Sequence, residues 1–230
     1  TDVDGAEDQE DVALEVNGTG AGNLAHAAAA AGARIVHLST DYVFPGDATE
    51  PYVESSPTGP RSAYGRTKLA GERAVAAANP NHAIARTAWL FGAHGRNFVD
   101  TILRLAAERD TLQVVDDQEG CPTWAGHLAP ALVTLAARDA TGVFHAAGGG
   151  RCTWFDLARE ALAATGSTCT VEPTTTDAFP RPAPRPAFSV LATERGADAV
   201  HLPPWQEGLA GFLAERPTPG TDLTTTGDPR

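Results

Sequence analysis

Methionine occurs at none of the 230 positions. No initiator residue is therefore present, and the sequence is expected to be a fragment or processed form of something longer. Cysteine is scarce: Cys121, Cys152 and Cys169 are odd in number and widely spaced. They suit neither a disulfide framework nor a zinc site, and read as reduced thiols in a cytoplasmic protein. The seven histidines are scattered, with no pair at ligand spacing on a helix, so no metal is expected. Long apolar runs are lacking, which excludes a membrane-spanning helix, and the acidic N-terminus lacks the apolar core of a signal peptide. Positive charge is short as well. Seventeen Lys and Arg against 29 Asp and Glu leave a net charge of −12. Without a basic stripe, nucleic acid and anionic membranes are poor partners.

What is present is a core. A hydrophobic fraction of 42% excludes disorder of the whole chain. Residues 9–31 read as one alanine-rich helix, and 33–39 as a short apolar strand. A loop rich in Pro, Gly and Asp follows over 44–60. Helical patterns at 62–78, 97–108, 124–137, 153–164 and 205–215 alternate with strand patterns at 82–87, 112–115 and 143–146. Past Gly166 the pattern weakens. Alternating helices and apolar strands imply a parallel sheet covered on both faces, an α/β fold. Residues 217–230 lack periodicity and are expected to be a disordered tail.

The chemistry concentrates in two clusters. Ser39-Thr40-Asp41-Tyr42 stands where an apolar strand ends, the place where open α/β sheets bind ligands. Tyr64 and Lys68 stand four apart on a helix and share one face. An ammonium beside a phenol favours tyrosinate and brings its pKa toward working pH. With a hydroxyl opposite, such a pair suits proton delivery to an oxygen whose carbon has just received a hydride. Asp116, Asp117 and Glu119 hint at a metal, but read better as a solvated loop. Arg181 and Arg185 lie in a proline-rich segment and either meet a diphosphate or line a plain surface loop.

A longer series of motifs runs through the chain in order. It comprises Ser39-Thr40-Asp41-Tyr42-Val43-Phe44, Pro51-Tyr52-x-Glu54, Tyr64-Gly65-x-Thr67-Lys68-x-x-Gly71-Glu72 and Arg86-Thr87-x-Trp89-x-Phe91-Gly92. Gly95-x-Asn97-Phe98-Val99 and Asp117-Gln118-x-Gly120-x-Pro122-Thr123 complete it. The series resembles the dTDP-4-dehydrorhamnose reductase family of extended short-chain dehydrogenases/reductases over about residues 2–215. Pro45 and Thr67 depart from the family pattern, where an acidic residue and Ser are usual.

The resemblance implies reduction of the 4-keto group of dTDP-4-dehydro-L-rhamnose by NADP(H) or NAD(H). It implies Tyr64 as proton donor, Lys68 as holder of the nicotinamide ribose, and Thr40 as the hydroxyl of the triad. Thr40, Asp41 and Trp89, with Val3 and Asp4, would meet the nucleotide-sugar substrate, and Ser39 would face the cofactor. The expected architecture is an incomplete Rossmann-like doubly wound parallel sheet with a smaller C-terminal substrate-binding region. Residues 1–92 would be the remainder of the dinucleotide-binding domain, and 93–216 a mixed sheet-completing and substrate-binding region. Gly18, Gly20 and Gly22 follow a helical stretch rather than a strand, so they are not the dinucleotide fingerprint. By the resemblance that fingerprint lies upstream. Cofactor binding by this stretch alone is therefore expected to be impaired, and the strand at 35–38 to be left at a sheet edge, open to pairing as a homodimer. Two alternatives stay open: reduction of another nucleotide-linked 4-keto deoxysugar, or a non-catalytic regulatory role on the same fold.

Overall fold

The computed structural model describes residues 2–216, and the tail expected at 217–230 lies outside them. Near the start, α1 (Gly5–Asp8) and α2 (Glu10–Leu14) lead through a π-helical turn (Glu15–Gly20) into α3 (Ala21–Ala30). The single helix expected at 9–31 is thus interrupted by a wider turn. Opposite this turn Gly71 brings a helix backbone against the Asn17 carbonyl; a Cβ there would stand 2.1 Å from that oxygen.

After β1 (Ile35–Thr40) come α4 (Ala63–Ala78), β2 (His82–Thr87), β3 (Leu90–Phe91) and α5 (Phe98–Ala106). The chain continues through β4 (Thr111–Val115), β5 (Glu119–Gly120), β6 (Thr123–Trp124), α6 (Ala125–Ala136) and β7 (Gly142–His145). It ends in β8 (Cys152–Thr153), α7 (Trp154–Ala164), β9 (Thr170–Thr174) and α8 (Trp205–Glu215). The central sheet is parallel, in the order β1-β2-β7. Side chains alternate across β2. Ile84 packs with Ala21, Ala25 and Val75 of α3 and α4, whereas Ala83 and Ala85 face Leu128 and Leu135 of α6. Both faces are therefore covered, as the run of apolar residues requires.

A second parallel pair, β4-β9, carries α5 and α7 over an apolar cluster of Ile102, Leu112, Val114, Ala158 and Leu162. Strand β9 was not apparent in the sequence. It contains Pro173, and its only partner among the described residues is β4, so the missing N–H falls on a free edge. On the other side of the molecule β1 has β2 as its one strand neighbour among the described residues.

Candidate active site

Helix α4 is the frame of the site. Ser62 caps it, its hydroxyl accepting from the Gly65 N–H at 3.1 Å, and Glu7 of α1 accepts from the Ala63 N–H at 2.8 Å. Gly65 lets the helix touch the chain leaving β1: a Cβ there would lie 2.3 Å from the Tyr42 carbonyl oxygen. Backbone meets backbone at Gly65 against the chain leaving β1 and at Gly71 against the π-helical turn, so α4 is fixed between the two with Tyr64 and Lys68 near the carboxyl end of β1. The Lys68 ammonium donates to the Leu38 carbonyl at 2.7 Å. Burial lowers the Lys68 pKa, and Glu72 opposes that shift. The Tyr64 ring meets Tyr42 edge-on, with centroids 5.5 Å apart.

At the end of β1, Thr40 is buried and starts a helical turn over Asp41–Val43. Its hydroxyl donates to Asp41 Oδ1 at 3.0 Å and accepts from the Tyr42 N–H at 3.3 Å. Burial pushes the Asp41 pKa up to about 6, against hydrogen bonds from Ser189 and Thr40. The Ser39 hydroxyl donates to Glu72 at 2.5 Å.

Two hollows flank Tyr42 and Tyr64. The larger, about 430 Å³, is lined by Tyr42, Trp89, Gln118, Trp154, Arg181 and Arg185 among others. The smaller, about 210 Å³, is bounded by Tyr64, Asn17 and apolar side chains of α2 and the π-helical turn. Trp89 stands at φ +46°, the one non-glycine residue with positive φ among the described residues. Such a conformation costs on the order of 1–3 kcal/mol and persists where its surroundings impose it. Here Trp154 stacks on it at 3.5 Å between centroids and 4° between planes. Gly120 leaves room for the ring, since a Cβ there would come within 2.4 Å of it. Trp154 is held in turn by Gln118, which accepts its Nε1–H at 3.1 Å and donates to Thr176 at 2.9 Å.

Asp4 reaches the same cavity indirectly. It accepts from Arg185 Nη2 at 2.9 Å and from the Ala183 N–H at 3.2 Å, with Arg181 4.0 Å away. Desolvation is the largest single influence and raises its pKa, but the hydrogen bonds from Arg185 and the Ala183 N–H, with the charges of Arg185 and Arg181, together outweigh it and the net shift is downward. Val3 lies in the turn before α1. Asp116, Asp117 and Glu119 are engaged in loop contacts: Asp116 accepts from Thr153, Asp117 from Thr176, and Glu119 pairs with Arg151. Sequence reasoning gave no role to Trp154, Glu72 or Arg86. Gln118, Glu72 and Arg86 stand inside the quoted motifs, while Trp154 carried no signal beyond its helix.

A parallel sheet covered on both faces, a hydroxyl at a strand's carboxyl end and a Tyr-x-x-x-Lys pair on the next helix define an extended short-chain dehydrogenase/reductase. Within that class the chain belongs to the RmlD substrate binding domain family, whose model matches residues 1–217. It is 46% identical over 235 residues to a dTDP-4-dehydrorhamnose reductase of Streptomyces griseus, covering 96% of this chain and 77% of that one. It is also 46% identical to a dTDP-4-keto-6-deoxy-D-glucose reductase of Streptomyces niveus, over 86% of this chain and 69% of the relative. Among solved structures, dTDP-4-dehydrorhamnose reductase from Bacillus anthracis in complex with NADP superposes with a TM-score of 0.91 at 38% identity. That match covers 94% of this chain and 78% of the other. The Clostridium acetobutylicum enzyme gives 0.90 at 44% identity, over 93% of this chain and 77% of its own.

Proposed function

We propose that the chain carries the catalytic and substrate-binding part of an NADP(H)-dependent reductase that converts dTDP-4-dehydro-L-rhamnose to dTDP-L-rhamnose. The observation that carries this reading is the Tyr64–Lys68 face of α4, held at the end of β1 by the backbone approach of Gly65 to Tyr42 and by the Lys68 hydrogen bond to Leu38, with Thr40 between them in the chain. The likeness to the reductases named above supports it. The cofactor, NADP(H) or NAD(H), supplies the hydride when bound. Lys68 fits its ribose: one ammonium proton is spent on the Leu38 carbonyl, leaving two to donate. The Tyr64 hydroxyl delivers the proton to the substrate oxygen, and Thr40 holds that oxygen in line once its hydroxyl turns from Asp41 to donate to it. Lys68 favours the tyrosinate left behind.

The larger cavity takes the nucleotide sugar. Trp89 and Trp154 give it an apolar wall, and Arg181 and Arg185 at its margin suit a diphosphate. Asp41 at the end of β1 serves the sugar beside Thr40. Asp4 serves it by holding Arg185. The division near residue 92 separates the catalytic frame from the segments that complete the cavity. We further place the protein in the cytoplasm, in keeping with free Cys121, Cys152 and Cys169. A homodimer is proposed from β1, which has β2 as its one strand neighbour among the described residues.

The Streptomyces niveus relative favours a second reading, in which the same site reduces another nucleotide-linked 4-keto deoxysugar. A turnover assay of the full-length protein with NADPH and both substrates tests this. Faster reduction of dTDP-4-dehydro-L-rhamnose is expected; faster reduction of the other sugar would select the second reading. No turnover of either would favour a regulatory role.

A further inference from the structure

One part of the α4 face lies behind the site. Glu72 stands one helical turn past Lys68, and both it and its partner Arg86 are buried. Arg86 meets it with two prongs, Nε donating to Oε1 at 2.9 Å and Nη2 to Oε2 at 2.7 Å. The Ser39 hydroxyl donates to the same Oε1 at 2.5 Å. Ser39 and Arg86 are register partners on neighbouring strands. One carboxylate therefore ties α4 to the carboxyl ends of both β1 and β2, one residue before Thr40. The Phe44 ring, 5.0 Å from the Arg86 guanidinium carbon, closes the other side.

A buried ion pair is a poor choice if its only task is to pack a helix. Apolar side chains of similar volume do that as well or better. They cannot, however, orient Ser39 by a hydrogen bond, nor set a negative charge one turn from a half-buried ammonium. The groups facing Lys68 are few. Glu72 is the anion on its own helix, and His37 faces both from β1, kept neutral by burial with its pKa lowered to about 4.

We propose that Glu72, clamped between Ser39 and Arg86, is a positioning residue that fixes Tyr64 and Lys68 against the end of β1. This rests on the reading of Tyr64 and Lys68 as the proton-delivering pair. The clamp sets where the helix face sits. Its negative end helps Lys68 keep its proton, which a catalytic ammonium needs.

Three variants of the full-length protein test this with NADPH and dTDP-4-dehydro-L-rhamnose. Glu72→Gln keeps the shape and removes the charge. The double change Glu72→Leu with Arg86→Met replaces the pair by apolar groups and spares a folded protein if the single change does not. Ser39→Ala is milder and leaves the ion pair in place. The first two are expected to lower kcat on the order of 10- to 100-fold, the scale of a displaced catalytic group. KM for the sugar should stay within about threefold, and the alkaline limb of kcat should move to lower pH. Ser39→Ala should lower kcat several-fold without raising KM for NADPH. A double variant or Ser39→Ala with normal kcat and an unmoved alkaline limb would overturn the proposal and leave the pair a scaffold. Tyr64→Phe separates the two readings. If it retains normal turnover, the catalytic assignment itself fails; if it is slow while the Glu72 and Ser39 variants are not, only the positioning role fails.

Discussion

The two walls of the site are built by opposite means. The wall that moves the proton comes from adjoining elements, β1 and α4, and is locked by backbone contact at Gly65 against the chain leaving β1, by Gly71 against the π-helical turn, and by the Glu72–Arg86 pair. The wall that meets the nucleotide sugar is assembled from distant segments: Asp4, Trp89, Gln118, Trp154 and Arg185. It is held by one ring stack and by partly exposed ion pairs. Proton transfer tolerates little misplacement, so it sits on rigid elements. A sugar nucleotide offers many contacts, so its wall can be shared among loops and tuned piece by piece. The division predicts that damage to the first wall appears in kcat and damage to the second in KM.

Tyr64→Phe is the strongest test. Losing only the hydroxyl should lower kcat on the order of 10²–10⁴-fold, with KM for the sugar little changed and the thermal midpoint retained. Steady-state kinetics of the full-length protein check this, and a change confined to KM would break the comparison. Next comes Arg185→Ala. A charge-assisted contact to a phosphate contributes roughly 1.5–3 kcal/mol, so KM for the nucleotide sugar should rise on the order of 10- to 100-fold while kcat stays near normal. Asp4→Asn should follow it more weakly, because Asp4 acts through Arg185. Trp154→Ala removes the ring that holds Trp89. Stacked aromatic pairs contribute roughly 0.5–1.5 kcal/mol beyond their buried area, so a rise in sugar KM of about tenfold or less is expected. An equal rise in KM for NADPH would point to collapse of the core.

The first wall was also the more legible in the sequence. Tyr64 and Lys68 could be paired because helical spacing places residues four apart together. Thr40 could be placed because an apolar run ended beside it. The motifs around them carried the family resemblance. The second wall left fewer traces. Trp89 was singled out, but nothing in the sequence says that Trp154 stacks on it, or that Asp4 holds Arg185 across nearly the whole chain. Such contacts have no period. Ser39 shows the same limit on a smaller scale: its place on β1 was readable, while the direction of its hydroxyl toward Glu72 depends on how closely α4 approaches. The π-helical turn at Glu15–Gly20 was hidden too, since a wider turn keeps the composition of a helix. Strand β9 was missed because its proline argues against a strand unless the free edge is known.

A buried and a half-buried group of the first wall oppose each other as pH changes. His37 and Asp41 lie on and just after β1, and burial drives them in opposite directions, His37 down to about 4 and Asp41 up to about 6. Asp41 holds its proton in the folded state after the unfolded chain has released it. Its contribution therefore falls as pH rises from about 4 to about 6 and stays low above that. His37 resists protonation that the unfolded chain accepts from pH 6.5 downward. Its contribution is complete above 6.5 and is lost as pH falls toward about 4. The two slopes oppose each other over nearly the same interval, so stability there is flatter than either group alone would make it. Asp41→Asn should leave the His37 slope uncovered, with urea midpoints rising with pH more steeply than in the parent. His37→Leu should tilt the curve the other way. Each difference from the parent should be on the order of 3 kcal/mol at most across the interval, and less for His37, which is only half-buried. Parallel curves for all three proteins would mean that neither group titrates as its burial dictates. A tilt only in His37→Leu would mean that Asp41 is better solvated than its place beneath Ser189 implies.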